Sequence, residues 1–476
     1  MGIYFLLLRI AALFGHRKAK LLVRGQKEAV QQIKAYKQNR SLENVVWFHA
    51  ASVGEFEQAR PIIERLRKEQ PKVRILLTFF SPSGYELRKG YGEVDLVTYL
   101  PFATKRNARA FIEEVQPSMA IFVKYEFWPA YLKELHKRGI KTYSISAIFR
   151  PKQLFFLPWG KPYLKLLHCF VHIYVQDQAS MDLLQAHGVE HTSVAGDTRF
   201  DRVNEIASHA KQLPVVERFT QGATRVIIAG STWPKDEELL AQYIDNHPDT
   251  KLVLVPHEIH EDHLHTIFQI FHGRYVRYTE ATPLNVEHCQ TLLIDTIGML
   301  SSIYQYGHVA YIGGGFGSGI HNTIEAAVYG VPVLFGPKYQ HFREAIGLIH
   351  TGAGFSVKTY KEFETQMDNA LANYETIGRK AREYVDTELG ATEKIYSSIF
   401  GYHTSYEPTF RSAVDKHSTT FVKEVYGIIL WFEYSLTVGT NHANLIILGH
   451  LIHLRCKVFH LVKLRCYEPI SSLRHC

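Results

Sequence analysis

The stretch FHAASVGEFEQARPIIERL, residues 48–66, places Glu55 directly after a glycine, where an apolar run turns into a helical pattern. A carboxylate there has two readings. It is a first-turn residue favoured by unpaired N–H groups and the helix dipole, or it is a base offered to a ligand beyond a strand end. KYEFWP, residues 124–129, repeats the arrangement, with Glu126 after a second apolar run and Pro129 opening a helix. Carboxylates on two strand ends of one sheet can divide acid and base roles; equally, Glu126 can serve as structural support.

Further along, YIGGGFGSGIHNTIEAAVYGVPVLFGP at 311–337 reads as a strand, a glycine-rich loop and a helix opening near His321-Asn322-Thr323. Such a loop lets backbone N–H groups approach a phosphate. The dinucleotide fingerprint GxGxxG fails because Gly315 and Gly317 would need a third glycine at Ile320, and no GK[ST] follows for a Walker A loop. Glu325, one helical step beyond Asn322, is placed to accept from ribose hydroxyls, or it is a solvated glutamate after a tight turn. PHEIHEDHLH, residues 256–265, invites a zinc reading, but HExxH needs His at 261 or 264 and finds Glu261 and Leu264. That leaves His257 just past a strand end, able to donate to a phosphate or a base, and the later histidines as a solvated helix face.

The elements that position these residues recur with βα regularity. Strands are predicted at 45–50, 73–79, 95–100, 118–123, 141–146, 172–175 and 192–195, with helices such as 105–115, 129–138 and 178–187 between them. The pattern restarts with strands at 225–229, 251–255, 291–294, 308–312 and 331–335. Strands alternating with helices mean parallel, doubly wound sheets, so the expected fold is α/β with two Rossmann-like domains facing a central cleft. The charged stretch 199–224, with Pro214, is the expected hinge. The expected domains are an amino-terminal segment 1–40, domains at 41–205 and 206–400, and an extension 401–476 without βα rhythm and without an assigned function. The apolar run LIILGHLIHL in that extension, at ten residues, is too short to span a bilayer.

The bulk numbers fit this division. A chain of 476 residues exceeds the ~250–300 at which one core usually splits. The formal charge of +8 is carried entirely by residues 1–40, which hold nine Lys or Arg against Glu28 alone. Positive charge confined to one terminus argues against a nucleic-acid binder. Beside it, IYFLLLRIAALF at 3–14 is too short for a span and contains Arg9, so an interfacial helix on an anionic lipid surface is expected, or else a basic helix packed on its own domain. FRPKQLFFLPWGKPY, residues 149–163, is too apolar for an ordinary loop and meets either acyl chains or its own domain. The five cysteines form no CxxC pair, which points away from disulfides and structural zinc.

ASVGE at 51–55, YEFWP at 125–129, GDTRFDR at 196–202, DTIG at 295–298 and HNTIEAAVYGVPVLFGP at 321–337 together resemble the 3-deoxy-D-manno-octulosonic acid (Kdo) transferases. That resemblance implies a GT-B glycosyltransferase that moves Kdo from CMP-Kdo to the lipid A precursor on the cytoplasmic face of the inner membrane. It puts the acceptor on the first domain and the nucleotide sugar on the second. It also implies Glu55 as general base, with CMP contacts at Pro256 and His257, at Ile297, Gly298 and Met299, and at Asn322, Thr323, Ile324 and Glu325. His257 stands where the family commonly has arginine, and Met299 where it commonly has glutamate. The implied reaction is an inverting displacement without metal or cofactor. The competing readings are another GT-B enzyme using a UDP-sugar and a non-catalytic, membrane-associated nucleotide-binding protein.

Overall fold

The computed structural model describes residue 8, residues 10–39 and residues 43–401. Half of the apolar stretch at 3–14, residues 3–7 and 9, and the whole extension from 402 therefore lie outside the described residues, with the expectations placed on them.

Seven strands form the first sheet: β1 (Val45–Ala50), β2 (Arg74–Phe79), β3 (Leu96–Tyr99), β4 (Pro117–Val123), β5 (Lys141–Ala147), β6 (His172–Val175) and β7 (Thr192–Val194). All pair in parallel, in the order β3-β2-β1-β4-β5-β6-β7. In β1 every residue of VVWFHA is buried, as a strand covered on both faces requires. Alternate side chains enter two layers. Val45 and Trp47 join the core built with Phe111 and Tyr131, while Val46 and Phe48 join the one built with Ile62 and Ile63.

The second sheet comprises β8 (Val226–Thr232), β9 (Lys251–Pro256), β10 (Val276–Arg277), β11 (Thr291–Leu293), β12 (Val309–Ile312), β13 (Val333–Phe335) and β14 (Gly354–Ser356). It is also wholly parallel, in the order β10-β11-β9-β8-β12-β13-β14. The α/β, GT-B type architecture is thus present. In each sheet one pair of neighbours has connections that run opposite ways, β1/β4 in the first and β8/β12 in the second; in the second sheet β11 also returns inside β10. A doubly wound sheet opens its ligand crevice beyond the carboxyl ends of such a pair.

Three segments differ from expectation or resolve it. The proposed hinge, 199–224, is mostly helical: Asp197 caps the helix Thr198–Ser208 by accepting from Arg199 N–H at 3.0 Å, and Pro214 opens the helix Pro214–Thr220. Proline at a first helical position starts a helix, because its missing N–H was unpaired there anyway. The amino-terminal helix Arg17–Asn39 buries Ala19, Leu22, Ala29 and Ile33 against the first domain. Its basic side chains Lys18, Lys20, Arg24 and Lys27 remain exposed. Among the described residues no helix is long and apolar enough to cross a membrane. In the apolar loop, Phe149, Phe155 and Phe156 pack inward while Leu154, Trp159 and Tyr163 face out, Trp159 at 69% exposure.

The last described helix, Ala391–Phe400, returns to the first domain, where Ile395, Tyr396 and Ile399 enter the core with Ile62 and Ile63. Asp201 fixes that crossing by accepting from the N–H groups of Gly390 and Thr392, both at 2.7 Å.

Candidate functional site

At the first sheet's reversal, β1 runs into Ser52 and the helix Val53–Glu69. Glu55 lies in that helix's first turn, half-buried, and its Oε2 accepts from Ser52 N–H at 2.7 Å and from Ser52 Oγ–H at 2.6 Å. The other oxygen, Oε1, has no hydrogen-bond partner among the described residues. One oxygen is held by the Ser52 backbone and hydroxyl, and the other has an open acceptor position. Both readings of Glu55 therefore have a structural basis: it closes its own helix start, and it keeps a lone acceptor at the crevice. Gly54 beside it is exposed, and a methyl group there would meet only Ser52 Oγ at 3.9 Å.

Glu126, at the end of β4, is turned inward. Its Oε2 accepts from the Trp128 indole N–H at 2.5 Å and lies 3.0 Å from His49 Nε2. His49 is fully buried on β1, and its Nδ1 donates toward the Thr78 carbonyl at 3.1 Å. This His49–Glu126–Trp128 group clamps the ends of β1 and β4 together. Sequence reasoning did not single out His49 or Trp128; the signal was a histidine inside the apolar run VVWFHA, which needs a buried partner.

Lys124, immediately after β4, was also not singled out. It sits at φ +56°, uncommon for a residue with a side chain, and its N–H donates to Ile145 at 2.9 Å. The side chain is half-buried and has no hydrogen bond or ion pair among the described residues. Burial pushes its ammonium below the usual lysine range, with the nearby Arg199 adding to the effect.

Behind Lys124 lies a buried ionic group that joins the two halves. Arg199 donates to Asp197 Oδ2 at 2.7 and 2.9 Å, and reaches Glu344 of the second half at 3.1 and 3.2 Å. Burial alone would raise the Asp197 carboxyl, but Arg199 outweighs it and holds it below the usual range.

At the second sheet's reversal, β8 ends at Thr232 and the helix Pro234–Asn246 begins. Asp236 joins that helix start to the glycine loop after β12. It accepts from Trp233 N–H at 3.0 Å, Gly314 N–H at 2.9 Å and Tyr311 O–H at 2.7 Å. The glycines have a packing reason of their own: a methyl group on Gly313 would lie 2.2 Å from the Ser231 carbonyl, and one on Gly315 would lie 2.5 Å from Gly336 Cα. Between loop and helix opens a cleft of about 350 Å³ lined by Trp233, Lys235, Asp236, Gly314, Phe316, Gly317 and Ser318.

None of the predicted nucleotide contacts lines that cleft, but Trp233 connects it to them. Its indole donates to His321 Nε2 at 3.1 Å, and His257 stacks between Trp233 and His321 at 4.9 and 4.3 Å. Burial, with His257 beside it, pushes His321 down to about 4, consistent with a neutral ring that accepts at Nε2. Pro256 ends β9, and Ile297, Gly298 and Met299 follow β11, with Ile297 at 88% exposure. Thr323 is buried; Asn322 donates to Glu325 at 2.8 Å and accepts from Ile324 N–H at 3.2 Å. Burial raises the Glu325 carboxyl above the usual range. All nine predicted contacts thus end or follow β9, β11 or β12, on one rim of the sheet.

The later histidines are not a uniformly solvated face. His263 is buried, with its Nε2 at 2.9 Å from Glu237 Oε2, because Glu237 is itself buried and needs a partner. Glu258, His260 and His263 lie close enough to hold a cation, but their atoms are engaged: His260 Nδ1 takes the His263 N–H at 3.2 Å, and His260 Nε2 meets Glu258 at 3.1 Å.

The sequence model of a family described as 3-Deoxy-D-manno-octulosonic-acid transferase (kdotransferase) matches residues 26–202. A 3-deoxy-D-manno-octulosonic acid transferase of Aquifex aeolicus is 28% identical over 357 residues, covering 71% of this chain and 90% of the relative. One from Rickettsia bellii is 24% identical over 408 residues, covering 83% and 93%. Among solved structures, the UDP-GlcNAc 2-epimerase from Neisseria meningitidis superposes with a TM-score of 0.54 at 15% identity, over 74% of this chain and 99% of that one. At that identity the likeness speaks for the fold alone.

Proposed function

From the chain's membership of the Kdo transferase family, which makes it a glycosyltransferase, we infer that it moves Kdo from CMP-Kdo to the lipid A precursor, a step in lipopolysaccharide core biosynthesis. Glu55 is the general base. Its free Oε1 takes the proton from an acceptor hydroxyl as that oxygen bonds to the anomeric carbon. The bond from that carbon to the CMP phosphate breaks on the opposite face, and CMP leaves with the electron pair. The anomeric centre is inverted. The observation that carries this reading is the half-held carboxylate at the β1/β4 reversal, in a chain whose second sheet offers a loop-lined cleft at its own reversal.

Glu126 supports the base by fixing the ends of β1 and β4 through His49 and Trp128. CMP is bound on the second domain, its phosphate near the glycine loop and Trp233, and its cytidine toward Pro256, His257 and Ile297 to Met299. Glu325, held by Asn322, accepts from the ribose hydroxyls. The enzyme works on the cytoplasmic surface of the inner membrane. Leu13 and Phe14, at 85% and 88% exposure beside Lys18 and Lys20, and the outward Trp159 support a surface-lying contact with anionic lipid.

Incubation of the purified chain with CMP-Kdo and lipid A precursor, read by mass spectrometry, tests the reading. It predicts a product heavier by Kdo, and thermal protection by CMP but not by UDP. Protection by UDP alone would assign a UDP-sugar enzyme. Nucleotide protection with no product would assign a non-catalytic binder.

A further inference from the structure

We propose that Lys124 receives the carboxylate of the donor sugar and thereby selects an acidic sugar over a neutral one. The inference deepens the proposed Kdo transfer and rests on it.

Four observations meet at this residue. It follows β4 directly, so it borders the β1/β4 reversal that also presents Glu55. Its backbone is held at φ +56° by the N–H bond to Ile145, a conformation that is unfavourable for a side-chain-bearing residue and persists only where the surroundings impose it. Its ammonium is half-buried without a direct partner among the described residues, although it lies within electrostatic reach of Glu55, Asp197, Arg199 and Glu344. Finally, the carboxylates in reach are committed elsewhere: Asp197 and Glu344 to Arg199, and Glu55, at one oxygen, to Ser52.

A half-buried ammonium without a directly bonded partner is unfavourable until a ligand supplies one. Kdo, an octulosonic acid, carries a carboxylate on its anomeric carbon. A cation within electrostatic reach of the general base would therefore meet the donor at the atom next to the one attacked and orient that carbon toward the acceptor oxygen. A neutral hexose has nothing to place there and leaves the ammonium unpaired, which is the stronger basis for discrimination.

The competing account is that Lys124 only balances the Asp197–Arg199–Glu344 group. The test separates the two with the donor's own chemistry. KM for CMP-Kdo and Ki for CMP are measured in wild type, Lys124→Met and Lys124→Arg, together with competition by the C1 carboxamide of CMP-Kdo. A charge-assisted hydrogen bond predicts a roughly ten- to hundred-fold rise in KM for Lys124→Met, partial recovery in Lys124→Arg, and CMP inhibition within about twofold of wild type. In wild type the carboxamide should compete roughly ten- to hundred-fold more weakly than the carboxylate donor binds, and in Lys124→Met the two should bind alike.

An unchanged KM, or a carboxamide penalty that persists in Lys124→Met, overturns the proposal. If Lys124→Met does not fold, equal binding of carboxamide and carboxylate by wild type overturns it, and weak carboxamide binding restored to parity in Lys124→Gln supports it. Failure of the wild type to bind CMP or use CMP-Kdo refutes the function itself and takes this inference with it.

Discussion

Asp236 offers the sharpest test of how the second-domain cleft is built. Its carboxylate is 1% exposed and takes three donors: Tyr311 O–H, Gly314 N–H and Trp233 N–H. Asp236→Ala orphans the first two deep in the structure and the third at a half-buried helix start. Each buried donor left unpaired costs about 1–3 kcal/mol. The adjoining cleft admits a water to one of them, so the loss should be about 2–4 kcal/mol. Asp236→Asn is a different perturbation. Its amide oxygen can keep both backbone N–H groups, and its NH₂ can donate to Tyr311, whose hydroxyl turns to accept. That variant should lose less than about 1 kcal/mol. Amide hydrogen exchange on the 309–317 peptide reads the effect at its source, since about 3 kcal/mol of local opening corresponds to roughly hundred-fold faster exchange. CMP affinity should weaken in parallel for Ala and stay near wild type for Asn. Burial raises the Asp236 carboxyl, so its contribution is fully present below the unfolded value near 3.8 and is lost as pH rises through the higher folded value. The Asn variant should accordingly compare best with wild type near neutrality. Exchange in Asp236→Ala within about threefold of wild type, or equal damage from Asn, would refute the reasoning.

Other outcomes follow from neighbouring features. Gly54→Ala should keep or slightly improve thermal stability, since alanine is the better helix former by up to ~1 kcal/mol and no protein atom crowds the site, yet raise the acceptor KM. Lost stability would show that Gly54 is needed by the fold. His321 is held down to about 4 against an ordinary 6.5, so the unfolded chain binds its proton first, and stability should fall as pH drops from about 6.5 to 4. The part-exposed ring limits this to about 1–2 kcal/mol, and His321→Gln, which still accepts from Trp233, should flatten that part of the melting-temperature profile. Leu13→Ser with Phe14→Ser should reduce binding to vesicles containing anionic lipid without altering CMP affinity; unchanged vesicle binding would remove these residues from the membrane reading.

Much of the fold was legible because a parallel strand covered on both faces must be apolar along its whole length. VVWFHA is readable as β1 for that reason. Strands β10, of two residues, and β14, of three, lack the length for any periodicity and were missed. In the 199–224 stretch charge and proline suggest a linker, whereas Asp197 and Pro214 are a helix cap and a helix starter. His263 resembled its exposed neighbours by composition, and only the packing of its helix against Glu237 distinguishes it.

At the site, loop chemistry showed which strand ends mattered, since ligands gather beyond the carboxyl ends of parallel strands. Partnering was not legible. That Glu126 turns inward to His49, that Asp236 ties two loops together and that Lys124 lacks a direct partner among the described residues all depend on side-chain directions fixed by tertiary contacts distant in sequence.

The central claim is that Glu55 is the base, and Glu55→Gln tests it most directly. The amide oxygen can still accept from Ser52 N–H, so the helix start and CMP affinity should remain near wild type. Turnover of CMP-Kdo with lipid A precursor should fall by ~10²–10⁴, the usual contribution of a positioned base. Turnover within a few-fold of wild type, with CMP affinity intact, would contradict the account.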